Sequence, residues 1–476
     1  MIVGNRKTLL SHGNRRARKI ALDILETALQ DIDASLYIRN LVSIDQNILR
    51  VGELKWDLSA IDHIYVIGAG KGILQMAEAL EEILGDRIYE GVVVEKRLNG
   101  MARGMERISH LQRIQVIQGG HPIPDEAAVG GAQLILDIAK KASSKDLVFC
   151  CVQGGCTSLS TLPIEGIRLE DIQAMTDLLL RSGYEIQTLN SLRSAVTALS
   201  DGRLAAHVYP ADIINLVVTD SVWSYPHGWE NVSFTRGWGP CVPAAEYKIE
   251  KLADDLTQIR CSELWEHLPT SIRAYLSQVQ IAQCFYTEKQ FNQRGIRAHT
   301  FVLANTEHGA RAAANAARNM GLNALLVTTV MEGEAREAGI FWASIAKEVI
   351  KNHRPVPPPC VLIFAGEMTV TLDRTNCGTG GRNQEAVLSA AAKLDGAKDV
   401  VVLSVGTDGT DGPNRVPVAG GIVDGYTAER ARAEGIRLSS ELGRHNSFNV
   451  LHRLNDAVFF DEPGNNVCDL TLVVVI

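Results

Sequence analysis

Residues 64–80 read IYVIGAGKGILQMAEAL. A short Val- and Ile-rich run leads into Gly68-Ala69-Gly70-Lys71-Gly72, and apolar residues then recur at helical spacing from Ile73 to Leu80. The pattern is strand, glycine turn, helix. It fits neither common phosphate-binding fingerprint. A G-x-G-x-x-G turn would place its third glycine at Ile73, and a G-x-x-x-x-G-K-[ST] loop would need glycine at Tyr65 and Ser or Thr at Gly72. What is left is a lysine built into a strand-to-helix turn.

The same alternation continues in both directions. Val- and Ile-rich segments at 61–67, 91–94, 114–117, 146–152 and 213–219 are separated by helical patterns at 71–83, 125–141, 169–181 and 186–208. A second series follows at 300–304, 325–330, 361–364, 400–405 and 470–476, with helical patterns at 306–320, 334–352, 382–394 and 426–434. Alternation of this kind implies an α/β protein, with parallel sheets covered by helices on both faces. A chain of 476 residues is long for one core. The expected division is 1–245 for an N-terminal domain, 246–297 for a helical and polar connection, and 298–476 for a smaller C-terminal domain. The Trp-rich stretch 223–243 reads as a long irregular loop.

Composition narrows the function class. An apolar share of 46% with 21% charged residues describes a folded protein with large cores. The net charge of −8 argues against a general nucleic-acid surface. No apolar run reaches the roughly 18 residues a membrane span needs, and no secretory leader is visible. Nine cysteines without zinc-type spacing suit a reducing cytoplasm. The helical pattern at 334–352 leaves faces for a homodimer.

In open parallel sheets, ligands sit beyond the carboxyl ends of strands. The residues there are Gly70 and Lys71; Gly119, Gly120 and His121; Gly154, Gly155 and Ser158; Asp220; Glu367; Arg382 and Asn383; Asp408 and Asp411. Glycines let a backbone approach a ligand and turn its N–H groups toward it. Helix starts near Lys71 and Arg382 add partial positive charge to two full cations. Asp220, Asp408 and Asp411 could hold Mg²⁺ through oxygen. Anion-cradling turns, two cations and a few acids suit phosphoryl transfer, in which a protein mainly positions groups and neutralises charge. Each residue also has a plain structural reading. Asp125 is the natural cap of the helix that follows it, and Asp408 and Asp411 stand next to glycines where turns form.

Taken together, GAGK (68–71), GGHPIPDEA (119–127), GG-x-TSL (154–159), GGRNQE (380–385) and GTDGTDGP (406–413) give the chain its strongest likeness. It resembles the glycerate 2-kinases of the MOFRL type over about residues 15–476. The resemblance implies a Rossmann-like, doubly wound N-terminal domain, a smaller C-terminal α/β domain and an active site in the cleft between them. It implies transfer of the γ-phosphoryl of ATP to the 2-hydroxyl of D-glycerate with Mg²⁺. It carries the catalytic lysine to Lys71 and the catalytic arginine to Arg382. Arg193 matches the arginine of a family R-K-H-L-S motif, but Ser194 and Ala195 replace the two residues after it. Further departures fall at Ser200 and Asp201, at 221–240, at Thr379, at 414–420 and at 462–467. Arg415, His227 and Arg236 lie in altered segments and could restore lost charge. Two other readings compete with the kinase. One is a catalytically impaired ligand-binding or regulatory paralogue. The other is a hydroxypyruvate reductase, for which Glu95 stands near the place of a ribose-binding acid.

Overall fold

The computed structural model describes residues 2–97, 110–182, 184, 186–220, 239–372, 377–460 and 466–476. The Trp-rich stretch from Trp223 to Trp238, with His227 and Arg236, lies outside them, as does most of the altered 462–467 segment. The described strands are β1 Val42–Asp45, β2 Ile48–Val51, β3 Leu54–Asp57, β4 Ile64–Gly70, β5 Ile88–Lys96, β6 Ile114–Gly119, β7 Leu147–Val152, β8 Asp212–Val218, β9 Ala298–Ala304, β10 Asn323–Met331, β11 Cys360–Gly366, β12 Val400–Gly406, β13 Gly420–Asp424, β14 Ala457–Val458 and β15 Asp469–Val475.

The first three strands form a small antiparallel meander. The next six form one sheet in the order β6-β5-β4-β7-β8-β9, parallel throughout. The central strands β4 and β7 are buried at every residue, which is why they read as unbroken apolar runs. The chain winds outward from β4 in one direction and from β7 in the other, so the switch point lies between those two strands. The expected doubly wound sheet is present. One boundary changes: β9, assigned from sequence to the second domain, pairs in parallel with β8 and closes the first sheet. A parallel edge strand has no sequence signature that tells it from the first strand of a new sheet.

The other sheet runs β10-β11-β15-β12-β13-β14 and is mixed. The chain's last strand, β15, inserts antiparallel between β11 and β12. The two sheets share one continuous core. It includes β4 and β7 residues such as Val66 and Phe149, second-sheet residues such as Ile363, Leu403 and Leu472, and the helices Arg15–Asp31 and Thr306–Asn319 between them. The helix Arg15–Asp31 therefore packs with the last strands described. Its buried Arg18 donates from Nε to Asp424 at 2.6 Å and from Nη1 to Asp456 at 2.9 Å.

Two long helical patterns break. The one at 186–208 becomes Ile186–Ala195 and Arg203–Val208, because Asp201 and Gly202 both turn left-handed, at φ 53° and 80°. The 246–297 segment is helical as expected over 247–278, and the stretch expected as a polar connection also carries short helices at Ile281–Cys284 and Glu288–Arg294. With residues such as Met175 and Leu192 the segment builds a separate helical core around Leu252, Ile272 and Phe285.

Candidate functional site

The turns after β4 and β7 meet across the switch point, where Lys71 N donates to Gly154 O at 2.9 Å. Glycine is required by crowding. A Cβ on Gly70 would lie 2.5 Å from that of Gln153. One on Gly154 would lie 2.0 Å from Asp220 Oδ2 and 2.2 Å from Asn466 Nδ2. Gly155, at φ 84°, would press a Cβ to 2.8 Å from the His121 ring. These turns bring His121, Asp220 and Lys71 against bare backbone.

Lys71 Nζ donates to Asp408 Oδ2 at 3.0 Å, across the cleft from the second sheet. Desolvation alone would lower the lysine pKa, but Asp408, then Asp220 and Glu367, outweigh it and raise it. For Asp408, desolvation is overcome by Lys71 and Lys96, which hold the carboxyl well below its usual range. Lys96, the last residue of β5, donates to Thr410 Oγ1 at 3.2 Å. Desolvation keeps its pKa below the ordinary lysine value. His121 is kept neutral, by desolvation first and then by Lys71, Lys96 and Arg193. Arg193 is buried and donates to Thr176 Oγ1 at 3.2 Å and Pro122 O at 2.5 Å. Its pKa is drawn down to about 10 by burial.

The opposing edge is acidic. In register, Asp469 opens β15 between Gly366 of β11 and Gly406 of β12. Helix Arg382–Lys393 begins above it. Arg382 grips Asp469 with Nε at 2.6 Å and Nη2 at 2.9 Å, and its Nη1 lies 2.8 Å from Glu367 Oε1. Glu367 is pushed up by desolvation; Arg382 opposes that shift, Asp220 and Asp469 add to it, and Lys71 opposes it again. Asp220 is likewise raised by desolvation, against Lys71, and accepts from the Asn466 amide.

Of the residues singled out from sequence, Gly70, Lys71, His121, Gly154, Gly155, Asp220, Glu367, Arg382 and Asp408 gather in one place, with Arg193 behind His121. Others are engaged in holding the fold. Gly119 packs against Ala128, Leu159 and Val94, and Gly120 N–H serves the Asp125 cap. That cap is as expected, with Asp125 Oδ1 accepting from Ala128 N at 2.9 Å. Ser158 Oγ donates back to Gly155 O at 3.1 Å. Asn383, fully buried, accepts from Ser404 Oγ at 2.5 Å. Asp411 does not stand as a metal ligand. Its Oδ1 accepts from Asn383 N and Nδ2, and its Oδ2 from Gln384 N and Nε2, at 2.9–3.2 Å. Among the described residues, no three acidic, His or Cys side chains converge as a metal cage. Lys96, Asn466 and Asp469 belong to the site and were not foreseen.

Comparison with known proteins agrees with this architecture. The family model described as a domain of unknown function (DUF4147) matches residues 20–277, and the MOFRL family model matches 360–469. The chain is 34% identical to glycerate 2-kinase of Pyrococcus horikoshii, covering 96% of this chain and 97% of that protein. It is 33% identical to D-glycerate 2-kinase of Thermotoga maritima over 87% of this chain and 91% of that one. A crystal structure of glycerate kinase from Thermotoga maritima superposes with a TM-score of 0.73 at 30% identity, covering 96% of this chain and 99% of that one. The chain belongs to the glycerate 2-kinase family, whose members are phosphotransferases with an alcohol group as acceptor.

Proposed function

We propose that this chain, in the cytoplasm, transfers the γ-phosphoryl group of ATP to the 2-hydroxyl of D-glycerate or of a related small hydroxy or sugar acid. The observation that carries the reading is a pair of cations held by neighbouring acids. Lys71 from the first sheet reaches Asp408 of the second at 3.0 Å, and Arg382 reaches Glu367 at 2.8 Å, a carboxylate whose charge Lys71 also feels. Phosphoryl transfer spreads negative charge over the moving group, and two cations converging from opposite walls meet that need. Both cations are matched by acids: Lys71 by Asp408, Arg382 by Asp469 and Glu367. An incoming anion would exchange with Asp408 and Glu367, while Asp469 keeps Arg382 oriented.

The chemistry of the site fits the expected co-substrate and ion. The turns at Gly70 and Gly154–Gly155 flank the switch point, where sheets of this kind bind nucleotides, and their glycines let the two turns and Asp220 close on one another. Asp220 and Asp408 lie close enough to raise and compete for charge, and they are the donors that would hold Mg²⁺. When bound, the ion would neutralise phosphate charge and align the nucleotide. Asp411 takes no part, because N–H donors occupy both its oxygens.

The test is ADP release with Mg-ATP and D-glycerate, then with a panel of sugar acids, in the parent chain and in Lys71→Met. Acid-dependent release that vanishes in Lys71→Met is the expected result. Nucleotide binding with no release for any acid would instead make the chain a binding paralogue. NADH oxidation with hydroxypyruvate would make it a reductase.

A further inference from the structure

The His121 ring is faced by three cations, Lys71, Lys96 and Arg193, and by one carboxylate, Asp408. Lys71 takes that carboxylate at 3.0 Å. Lys96 reaches only a hydroxyl, Thr410 Oγ1, and Arg193 reaches only a hydroxyl and a carbonyl oxygen. Among the described residues neither forms an ion pair, and the His121 ring has no hydrogen-bond partner. Charged side chains withdrawn from water are ordinarily paired. The acids near Lys71 serve that lysine, whereas Lys96 and Arg193 bring two further cations to this corner that meet only neutral oxygens.

We infer that Lys96 anchors the carboxylate of the acceptor acid. The inference rests on the kinase reading above and gives the acceptor its chemical class, a 2-hydroxy carboxylate. Position selects the acceptor over the nucleotide. The switch point, where such sheets bind nucleotides, lies between β4 and β7, whereas β5, which ends in Lys96, pairs with β4 on the side away from β7. A ligand that begins at a phosphoryl group beside Lys71 and extends toward Lys96 leaves the nucleotide behind it. In a 2-hydroxy acid the carboxylate is one bond from the carbon bearing the reacting hydroxyl, so its cation must neighbour the phosphoryl-binding lysine. Lys96 neighbours Lys71 on the adjacent strand, and each feels the other's charge. Arg193 adds positive potential from behind His121.

The experiment is steady-state kinetics of Lys96→Met and Lys96→Arg with acid and ATP varied separately, alongside calorimetric titration of D-glycerate into each protein. Losing a charge-assisted contact should raise the KM and Kd for the acid by about 10–100-fold in Lys96→Met. The KM for ATP and kcat should stay within about threefold, and Lys96→Arg should recover most of the acid affinity. The preference for D-glycerate over glycerol, which lacks the carboxylate, should shrink by the same factor. A rise in the KM for ATP with the acid unaffected would assign Lys96 to the triphosphate and overturn the inference. Unchanged constants would overturn it too, leaving Lys96–Thr410 a packing contact. If the parent protein phosphorylates no acid, the kinase reading itself falls and takes the inference with it. If the parent is active and Lys96→Met binds acid normally, only the inference falls.

Discussion

The two sheets turn edges of opposite character toward each other. The first presents glycine turns, Lys71, Lys96 and a neutral His121, with Asp220 among them; the second presents Glu367, Asp408 and Asp469, two of them gripping Arg382. Topology underlies the difference. In the all-parallel sheet every strand delivers its carboxyl end to the cleft, so the wall is made of turns that lead into helices and favours anions. In the mixed sheet β15 runs the other way, so the strand's own first side chain, Asp469, stands in the middle of the wall. One wall binds through backbone and lysines, and the other orients an arginine with fixed carboxylates.

The comparison is most exposed at the bridge between the walls. Lys71→Met is expected to lower kcat/KM for phosphoryl transfer by roughly 10³-fold. It also leaves Asp408 buried without its partner, which costs on the order of 3–5 kcal/mol in thermal or denaturant unfolding. Adding Asp408→Asn should return the stability and not the activity. If the double variant stays as unstable as the single one, the pair does not couple the walls.

A smaller effect is expected on the acidic side. Asp469→Asn takes the bidentate partner from Arg382, so kcat should fall about 10–100-fold with KM for both substrates nearly unchanged. A proportional rise in KM would mean that Asp469 serves binding. Gly154→Ala tests the basic side's backbone. Its Cβ would collide with Asp220 and Asn466, with a stability loss of about 1–3 kcal/mol and loss of turnover.

The two walls should also differ in their response to pH. The Asp408 pKa is depressed in the folded state, so its contribution is present above the unfolded carboxyl value of about 4 and fades as pH falls below it. Asp220 is shifted upward by desolvation, so its ionised form disfavours folding above the folded pKa, and that penalty fades on acidification. Asp220→Asn should therefore raise the melting temperature at pH 7, with a difference that narrows toward pH 4. A variant less stable than the parent at pH 7 would contradict this. The smallest effect belongs to Arg415, which is exposed. Arg415→Ala should leave kcat/KM within about twofold, against its suggested role in restoring lost charge.

Much of this site was legible because parallel strands announce themselves as apolar runs, with glycine, lysine or aspartate directly after them. Lys71, Asp220, Glu367 and Asp408 were found in that way. Lys96 escaped because the apolar run of β5 stops at Val94, while the strand goes on pairing, Glu95 with Gln118 and Lys96 with Gly119. Asp469 escaped because it opens its strand instead of following one, and strand direction is not written in periodicity. Asn383 and Asp411 were overread for a related reason. A polar residue beside a glycine turn looks the same whether it faces a ligand or satisfies the start of a helix, as Asp411 does for Asn383 and Gln384.

Arg18 sets an order of assembly. Its guanidinium, carried by the first long helix, is sealed against Asp424 and Asp456 from the other end of the chain. The helix Arg15–Asp31 cannot close these contacts until Asp424 and Asp456 have been made. Clipping that helix should unsettle residues some four hundred positions away, where Asp424 would lose its buried cation.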